Sequence, residues 1–196
     1  LLDKGKILKN GNTSTVALIE IDKKHFVVKR YNIKNPWHAL KRCLRHTRAY
    51  TSWRNSIMLI FFDILTPKPV AFYEKRFGPF RSTGYFIMEH IDGTDAMTFF
   101  QSENIKTCET KKIAARFGGL FKSLADNSIS HGDFKATNFI IKNGEIYVID
   151  LDSMKEHRFK WGFKKAFNKD CSRMIKNWSN NIKISDQMSE ILRTFY

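Results

Sequence analysis

The chain lacks a long uninterrupted apolar run. Its longest, SIMLIFFDIL (56–65), carries Asp63 and is about half a membrane span, which predicts a buried helical segment rather than a crossing. Cysteine is scarce. Cys43, Cys108 and Cys171 form an odd, widely spaced set with no CxxC pair. That excludes a disulfide framework and a zinc-type spacing, and predicts reduced thiols in a cytoplasmic compartment. The sequence shows no internal repeat, no low-complexity tract and no signal-peptide pattern, although it opens Leu1-Leu2 rather than with Met. Negative charge is also short: 19 Asp and Glu stand against 34 Lys and Arg, a net charge of +15. A balance that basic predicts an anionic partner. No usual DNA- or RNA-binding signature is present, so the expectation is an anionic membrane surface or phosphorylated substrate and no nucleic acid. What the chain does have is core material. With 196 residues, 42% hydrophobic, and 17 Phe among its aromatics, it is long and apolar enough to be globular, as one large domain or two small lobes.

The first 35 residues predict three antiparallel strands, Lys6–Lys9, Thr15–Ile21 and His25–Tyr31, separated by turns at Asn10–Ser14 and Asp22–Lys24. Pro36 breaks the chain. Residues 37–62 then predict a helix with Lys41, Arg42, Arg45, Arg48 and Arg54 on one face, and Leu40, Leu44, Trp53, Ile57 and Ile60 available for the other. VAFYEKRFG (70–78) and GYFIMEH (84–90) predict two more strands around a Gly/Pro turn, and HIDGTD (90–95) marks a boundary. Glu109–Asn127 predicts a helix, because Ile113, Phe117, Leu120, Phe121 and Leu124 recur at three- and four-residue steps. NFIIKNGEIYVID (138–150) predicts a hairpin, since Asn143-Gly144 suits a type I′ turn. The Lys- and Phe-rich remainder predicts two helices. The plan is α+β and two-lobed: residues 1–90 are β-rich with one helix, and residues 91–196 are mainly helical with one hairpin.

Within SHGDFKATNFIIKNGEIYVIDLDS (130–153), Asp133 and Asn138 lie five apart on one loop, and the hairpin returns Asp150 toward Asn138. Phosphoryl transfer needs a carboxylate to orient and deprotonate a hydroxyl, oxygen ligands for Mg²⁺, and a cation on the phosphates. The spacing is that of a kinase catalytic loop: Asp, then Asn five residues on, then a metal-binding Asp after a short hairpin. Lys135 stands two after the loop Asp. The plainer alternative is that Asp133 and Asn138 cap turns and Asp150 merely ends a strand. His131 is expected to brace the loop from the core side. Upstream, FVVK places Lys29 on the third strand, where kinases hold ATP phosphates. The turn NGNTSTV (10–16) offers a single glycine, Gly11, at the phosphate-covering position, and FIMEHIDG (86–93) is hinge-like, so that the backbones of Glu89 and Ile91 would face adenine behind Met88.

The whole set resembles the bacterial lipopolysaccharide core kinases, which phosphorylate Kdo or heptose and share the protein-kinase-like fold. The resemblance covers nearly the whole chain. It is carried by VVKRYN (27–32), HTRAYTSWRNSIML (46–59), LTPKPVAFYEKR (65–76), GYFIMEHIDG (84–93), HGDFKATNFII (131–141), YVIDLDS (147–153) and KDCSRMIKNW (169–178). It implies a nucleotide-binding N-lobe and a C-lobe with the catalytic loop and metal site. Asp133 would be the base, Lys135 would assist the transferring phosphoryl group, Asn138 and Asp150 would hold Mg²⁺, and Lys29 would anchor ATP. The implied substrate is an anionic glycolipid, met by peripheral contact at the cytoplasmic face of the inner membrane, with Lys34, Lys41, Arg42, Arg45 and Arg48 or RFKWGFKK (158–165) as candidate contacts. The sequence departs from the kinase pattern in two places. No Glu occurs between Tyr31 and Phe62, and Ser52 stands about where a helix Glu would pair with the strand Lys; Asp152 stands where protein kinases have Gly. The first departure leaves a weakly active or inactive module as one alternative, and another small-molecule phosphotransferase of this fold as a second. A protein kinase fits less well, because only 46 residues follow Asp150 (196 − 150) and no Ala-Pro-Glu is among them.

Overall fold

The computed structural model describes residues 5–32, 46–77, 80–102, 107–178 and 182–193. The chain forms two compact units, one of residues 1–58 and 67–90, the other of residues 59–66 and 91–196.

The first unit is built on a five-stranded antiparallel sheet in which the fifth strand in chain order lies between the third and the fourth. β1 (Lys6–Asn10), β2 (Ser14–Ile21) and β3 (Lys24–Tyr31) form the meander expected from their alternation. β4 (Pro69–Phe77) and β5 (Phe80–Glu89) complete the sheet. β5 begins four residues before the expected strand: Ser82 and Thr83 continue the ladder rather than turn, because Arg81 pairs with Arg76 and Gly84 with Glu74. Lys29 sits mid-sheet, opposite Val16 on β2 and Phe86 on β5.

Helix α1 (Arg48–Phe61) packs on this unit with a face the apolar pattern did not predict. Ile57 and Ile60 are about half exposed, whereas Ala49, Ser52, Asn55, Ser56 and Leu59 are buried. Ser52 and Ser56 can go inside because their hydroxyls are satisfied: Ser52 Oγ shares a hydrogen bond with Tyr31 Oη at 2.8 Å, and Ser56 Oγ donates to the Ser52 carbonyl at 2.9 Å. Gly84 permits the close approach of β5, since a Cβ there would stand 2.9 Å from that of Ala49. Residues 37–45 of the expected helix lie outside the described residues.

In the second unit, β6 (Thr94–Asp95) leads into the short helix α2 (Ala96–Gln101), whose first turn is capped by Asp95 accepting from the Thr98 amide. α3 (Thr107–Asp126) buries Ile113, Ala114, Phe117, Phe121 and Leu124 along the expected stripe. Each large apolar side chain so buried contributes roughly 1.5–3 kcal/mol relative to exposure. Phe139 meets Phe117 and Phe134 meets Phe121 ring against ring on that stripe, and Phe167 packs in turn on Phe134. β7 (Ile129–Ser130) pairs with β10 (Lys155–Glu156), and β8 (Phe139–Lys142) pairs with β9 (Glu145–Val148). Asn143 and Gly144 have φ of 52° and 78°, the positive pair that a type I′ turn requires. α4 (Lys160–Lys176) and α5 (Ile182–Arg193) close the unit. No helix among the described residues is long and apolar enough to cross a membrane.

Candidate active site

The loop between β7 and β8 holds His131, Asp133, Lys135 and Asn138. Gly132 has a φ of +80°, and a Cβ on it would stand 2.6 Å from the Ser153 carbonyl oxygen, so only glycine lets the loop pass here. Asp133 follows, and a short 3-10 turn, Ala136–Asn138, returns the chain into β8. Asn138 Nδ2 donates to the Asp133 carbonyl at 2.8 Å and lies 3.4 Å from its Oδ2. Lys135 Nζ reaches the same Oδ2 at 3.0 Å. The five-residue spacing thus brings Asp133, Lys135 and Asn138 together. The Asn138 amide nitrogen is committed to Asp133, and its Oδ1 is a hard oxygen of the type Mg²⁺ accepts.

The hairpin brings its far end back. The Ile149 amide donates to the Asn138 carbonyl at 2.9 Å, setting Asp150 one residue beyond that bond. Asp150 adopts the left-handed region, φ 62° and ψ 55°, which Asp tolerates better than most residues. A 3-10 turn, Leu151–Ser153, follows and includes Asp152.

His131 braces this loop from inside. It is buried, its Nδ1 accepts from the Asp133 amide at 3.3 Å, and its Nε2 faces the Ile149 carbonyl at 3.0 Å. Those partners require the neutral tautomer with hydrogen on Nε2. Burial lowers its pKa below the usual 6.5, opposed by the Ile149 carbonyl and by the charges of Asp170, Asp150 and Asp133. The unfolded chain therefore takes up a proton near pH 6.5 that the native state refuses, so stability falls as pH drops below 6.5, by at most about 1.4 kcal/mol per pH unit. Urea melts at pH 7.5 and 5.5 should show this slope shrinking in His131→Asn; an unchanged slope would refute the buried neutral assignment.

Two residues here were not singled out from the sequence. Asp170, on α4, is buried, and its Oδ2 accepts from the amides of His131 at 2.8 Å and Gly132 at 2.9 Å. Burial pushes its carboxyl above the ordinary range, opposed by the Gly132 amide, by His131 and by Arg173. Arg173, one turn later, donates through Nη1 to the Gly132 carbonyl at 2.7 Å and to Asp133 Oδ1 at 2.9 Å. The available signal was an Asp set inside the buried stripe Phe167, Cys171, Met174. Asp170→Ala leaves the buried His131 amide and the part-buried Gly132 amide unpaired and should cost roughly 1–4 kcal/mol, with Asp170→Asn costing less. Equal melts for wild type and the alanine variant would show that the loop does not depend on this anchor.

The remaining predicted residues lie elsewhere. Lys29 is in the first unit, buried on β3 with its ammonium 5.0 Å from the centroid of the Tyr31 ring. Met88 packs against the cluster of Tyr31, Ala49 and Phe86. Gly11 is in the β1–β2 turn, where its amide donates to the Ser14 carbonyl at 3.0 Å and its carbonyl accepts from Asn32 Nδ2 at 3.3 Å. Glu89 ends β5, opposite Phe26, with its amide on the Lys68 carbonyl at 2.9 Å. Ile91 begins the long segment of the second unit and is half-buried. Of the candidate basic contacts, Lys34, Lys41, Arg42 and Arg45 lie outside the described residues.

Comparison with known proteins places this geometry. The solved structure of WaaP in complex with acyl carrier protein superposes with a TM-score of 0.66 at 17% identity, covering 96% of this chain and 82% of that one. That likeness gives the fold: α+β and protein-kinase-like. A Dictyostelium discoideum protein assigned as a serine/threonine-protein kinase is 26% identical over 102 residues, which is 52% of this chain and 15% of that protein. The match to the Lipopolysaccharide kinase (Kdo/WaaP) family runs over residues 2–196, and the chain belongs to that family.

Proposed function

We propose that the protein is an ATP-dependent kinase that phosphorylates a hydroxyl of a sugar, Kdo or heptose, in the lipopolysaccharide inner core. The observation that carries this reading is the convergence of Lys135 and Asn138 on Asp133, in a chain of the lipopolysaccharide kinase family. In this reading Asp133 orients the acceptor hydroxyl and takes its proton as the phosphoryl group is transferred. Arg173 holds one oxygen of that carboxylate, so the other is the one presented to the acceptor. Lys135, already at that oxygen, moves to the transferring phosphoryl group and offsets its charge. Lys29 binds the ATP phosphates, the turn at Gly11 lies over them, and the backbones of Glu89 and Ile91 receive adenine. Residues 1–90 act as the nucleotide-binding lobe and residues 91–196 as the lobe of the catalytic loop and metal site.

The donor set suits magnesium: a carboxylate at Asp150 and an amide oxygen at Asn138 are both hard ligands. When bound, Mg²⁺–ATP supplies the phosphoryl group with its negative charge partly neutralised. The anionic acceptor agrees with a net charge of +15, which an aminoglycoside or another cationic acceptor would not favour. In this reading the protein works in peripheral contact with the cytoplasmic face of the inner membrane. Labelled ATP–Mg²⁺ offered with inner-core oligosaccharide, an aminoglycoside and a generic protein tests the acceptor class. Label should enter the oligosaccharide; label in another acceptor alone would replace this reading with a different phosphotransferase.

A further inference from the structure

We propose that the N-terminal turns of α4, with the residue before them, form the surface that seats the protein on an anionic lipid bilayer. The inner face of this helix is core: Phe167, Cys171 and Met174 are buried, and the Phe163 ring packs tilted against Phe167 with centroids 5.0 Å apart. The outer face breaks the usual rule for a solvated helix. Phe159 is 61% exposed and Trp161 74% exposed, although Trp178 is buried and Trp53 packs into the core of the first unit. Arg158, Lys160, Lys164 and Lys165 surround these rings, all exposed, and no acidic residue occurs between Glu156 and Asp170, whose carboxylate is turned inward. A solvated face mixes charge signs and keeps large rings inside. Cations in the first turns of a helix also oppose its dipole, so this arrangement is unfavourable until an anion meets it. Aromatic rings at headgroup level, with long cationic side chains reaching lipid phosphates, make an interfacial anchor. The base beneath is fixed: the His157 amide donates to the Ser128 carbonyl at 2.9 Å, and its Nε2 meets Ser130 Oγ at 2.7 Å.

This inference deepens the proposed reading by naming the surface that reaches the glycolipid, and vesicle binding is measured without turnover, so either can fail alone. The intact chain is sedimented with phosphatidylglycerol-containing and with pure phosphatidylcholine vesicles, at low and high salt. Binding should require the anionic lipid. Lys164→Glu with Lys165→Glu should weaken it more than tenfold at low salt, by about fivefold or more per reversed charge. Phe159→Ala with Trp161→Ala should weaken it by about tenfold at both salt levels, with an unchanged melting temperature. Equal binding to neutral vesicles, or full binding by both double variants, would overturn the proposal. So would a patch that ignores vesicles and captures acyl carrier protein.

A separate observation bears on the missing helix glutamate. The geometry assigns Tyr31 as a positioning residue for Lys29. The Lys29 ammonium lies 5.0 Å from the Tyr31 ring centroid, and the Arg48 guanidinium lies 4.8 Å from it. The Tyr31 hydroxyl is fixed by Ser52, the residue standing where the glutamate would be. Tyr31 and Ser52 are both buried, and a desolvated ring face attracts a cation more strongly than an exposed one. The buried ring, held through its hydroxyl, therefore fixes one side of the Lys29 ammonium. The assignment rests on Lys29 as phosphate anchor. The Lys29 Cε protons, assigned by their loss in Lys29→Arg, should appear upfield in the wild type through the ring current. Tyr31→Leu should abolish that shift and raise KM for ATP about tenfold, while Tyr31→Phe keeps both within about twofold. Absence of the shift in the wild type, or an unchanged KM in Tyr31→Leu, would remove Tyr31 from this role alone. The shift without any ATP binding would instead bring down the kinase reading, and this role with it.

Discussion

Replacing Asp133 by alanine should lower phosphoryl transfer by about a thousandfold while ATP–Mg²⁺ binding survives. A positioned general base contributes typically about 10²–10⁴-fold, and Asp133 is the carboxylate on which the catalytic loop converges. Alanine does more than remove a base, because Arg173 and Lys135 both lie on that carboxylate. Asp133→Asn is therefore the cleaner companion: it keeps an oxygen for Arg173 and removes only the proton acceptor. Asp133 is partly exposed, and its pairs with Lys135 and Arg173 are solvent-accessible, so either variant should remain folded. The check is a turnover assay beside a thermal melt with and without ATP–Mg²⁺. A variant that keeps its nucleotide-induced stabilisation but loses turnover supports the base assignment. Retained turnover in Asp133→Asn would end it.

Asp150 should give the second large effect, of a different kind. Without its carboxylate the metal-dependent part of ATP binding should disappear, and transfer should fall by about a hundredfold or more. The backbone complicates the choice of variant. Asp150 holds φ 62° and ψ 55°, where alanine pays roughly 1–2 kcal/mol and asparagine pays little. Asp150→Asn thus isolates the lost charge, and Asp150→Ala adds a backbone cost visible as a lower melt without nucleotide. In both, ATP alone and ATP–Mg²⁺ should stabilise equally. A magnesium increment as large as in the wild type would remove Asp150 from the metal site.

Much of this loop was legible because its information is local. The type I′ turn is written in Asn143-Gly144, and the hairpin it forms explains why Asp150 follows Asn138 in space. The α3 stripe was legible for the same reason, being a periodicity within one helix. What escaped depends on partners distant in sequence. Asp170 and Arg173 act on Gly132 and Asp133 across about forty residues, and nothing near them in sequence announces those partners. Helix α1 misled for the same cause. Ser52 is buried because Tyr31, far back on β3, completes its hydrogen bond, while Ile57 and Ile60 stay about half exposed. Ser82 and Thr83 were assigned to a turn on composition, and the ladder with β4 overrode that preference.

The central claim is transfer to a core sugar through the Asp133 loop. It is tested most directly by phosphorus NMR and mass analysis of inner-core oligosaccharide incubated with ATP–Mg²⁺ and either wild-type protein or Asp133→Asn. The account predicts one new phosphomonoester on a Kdo or heptose hydroxyl with the wild type and none with the variant. An oligosaccharide left unchanged by the wild type, or phosphorylated equally by both, would contradict it.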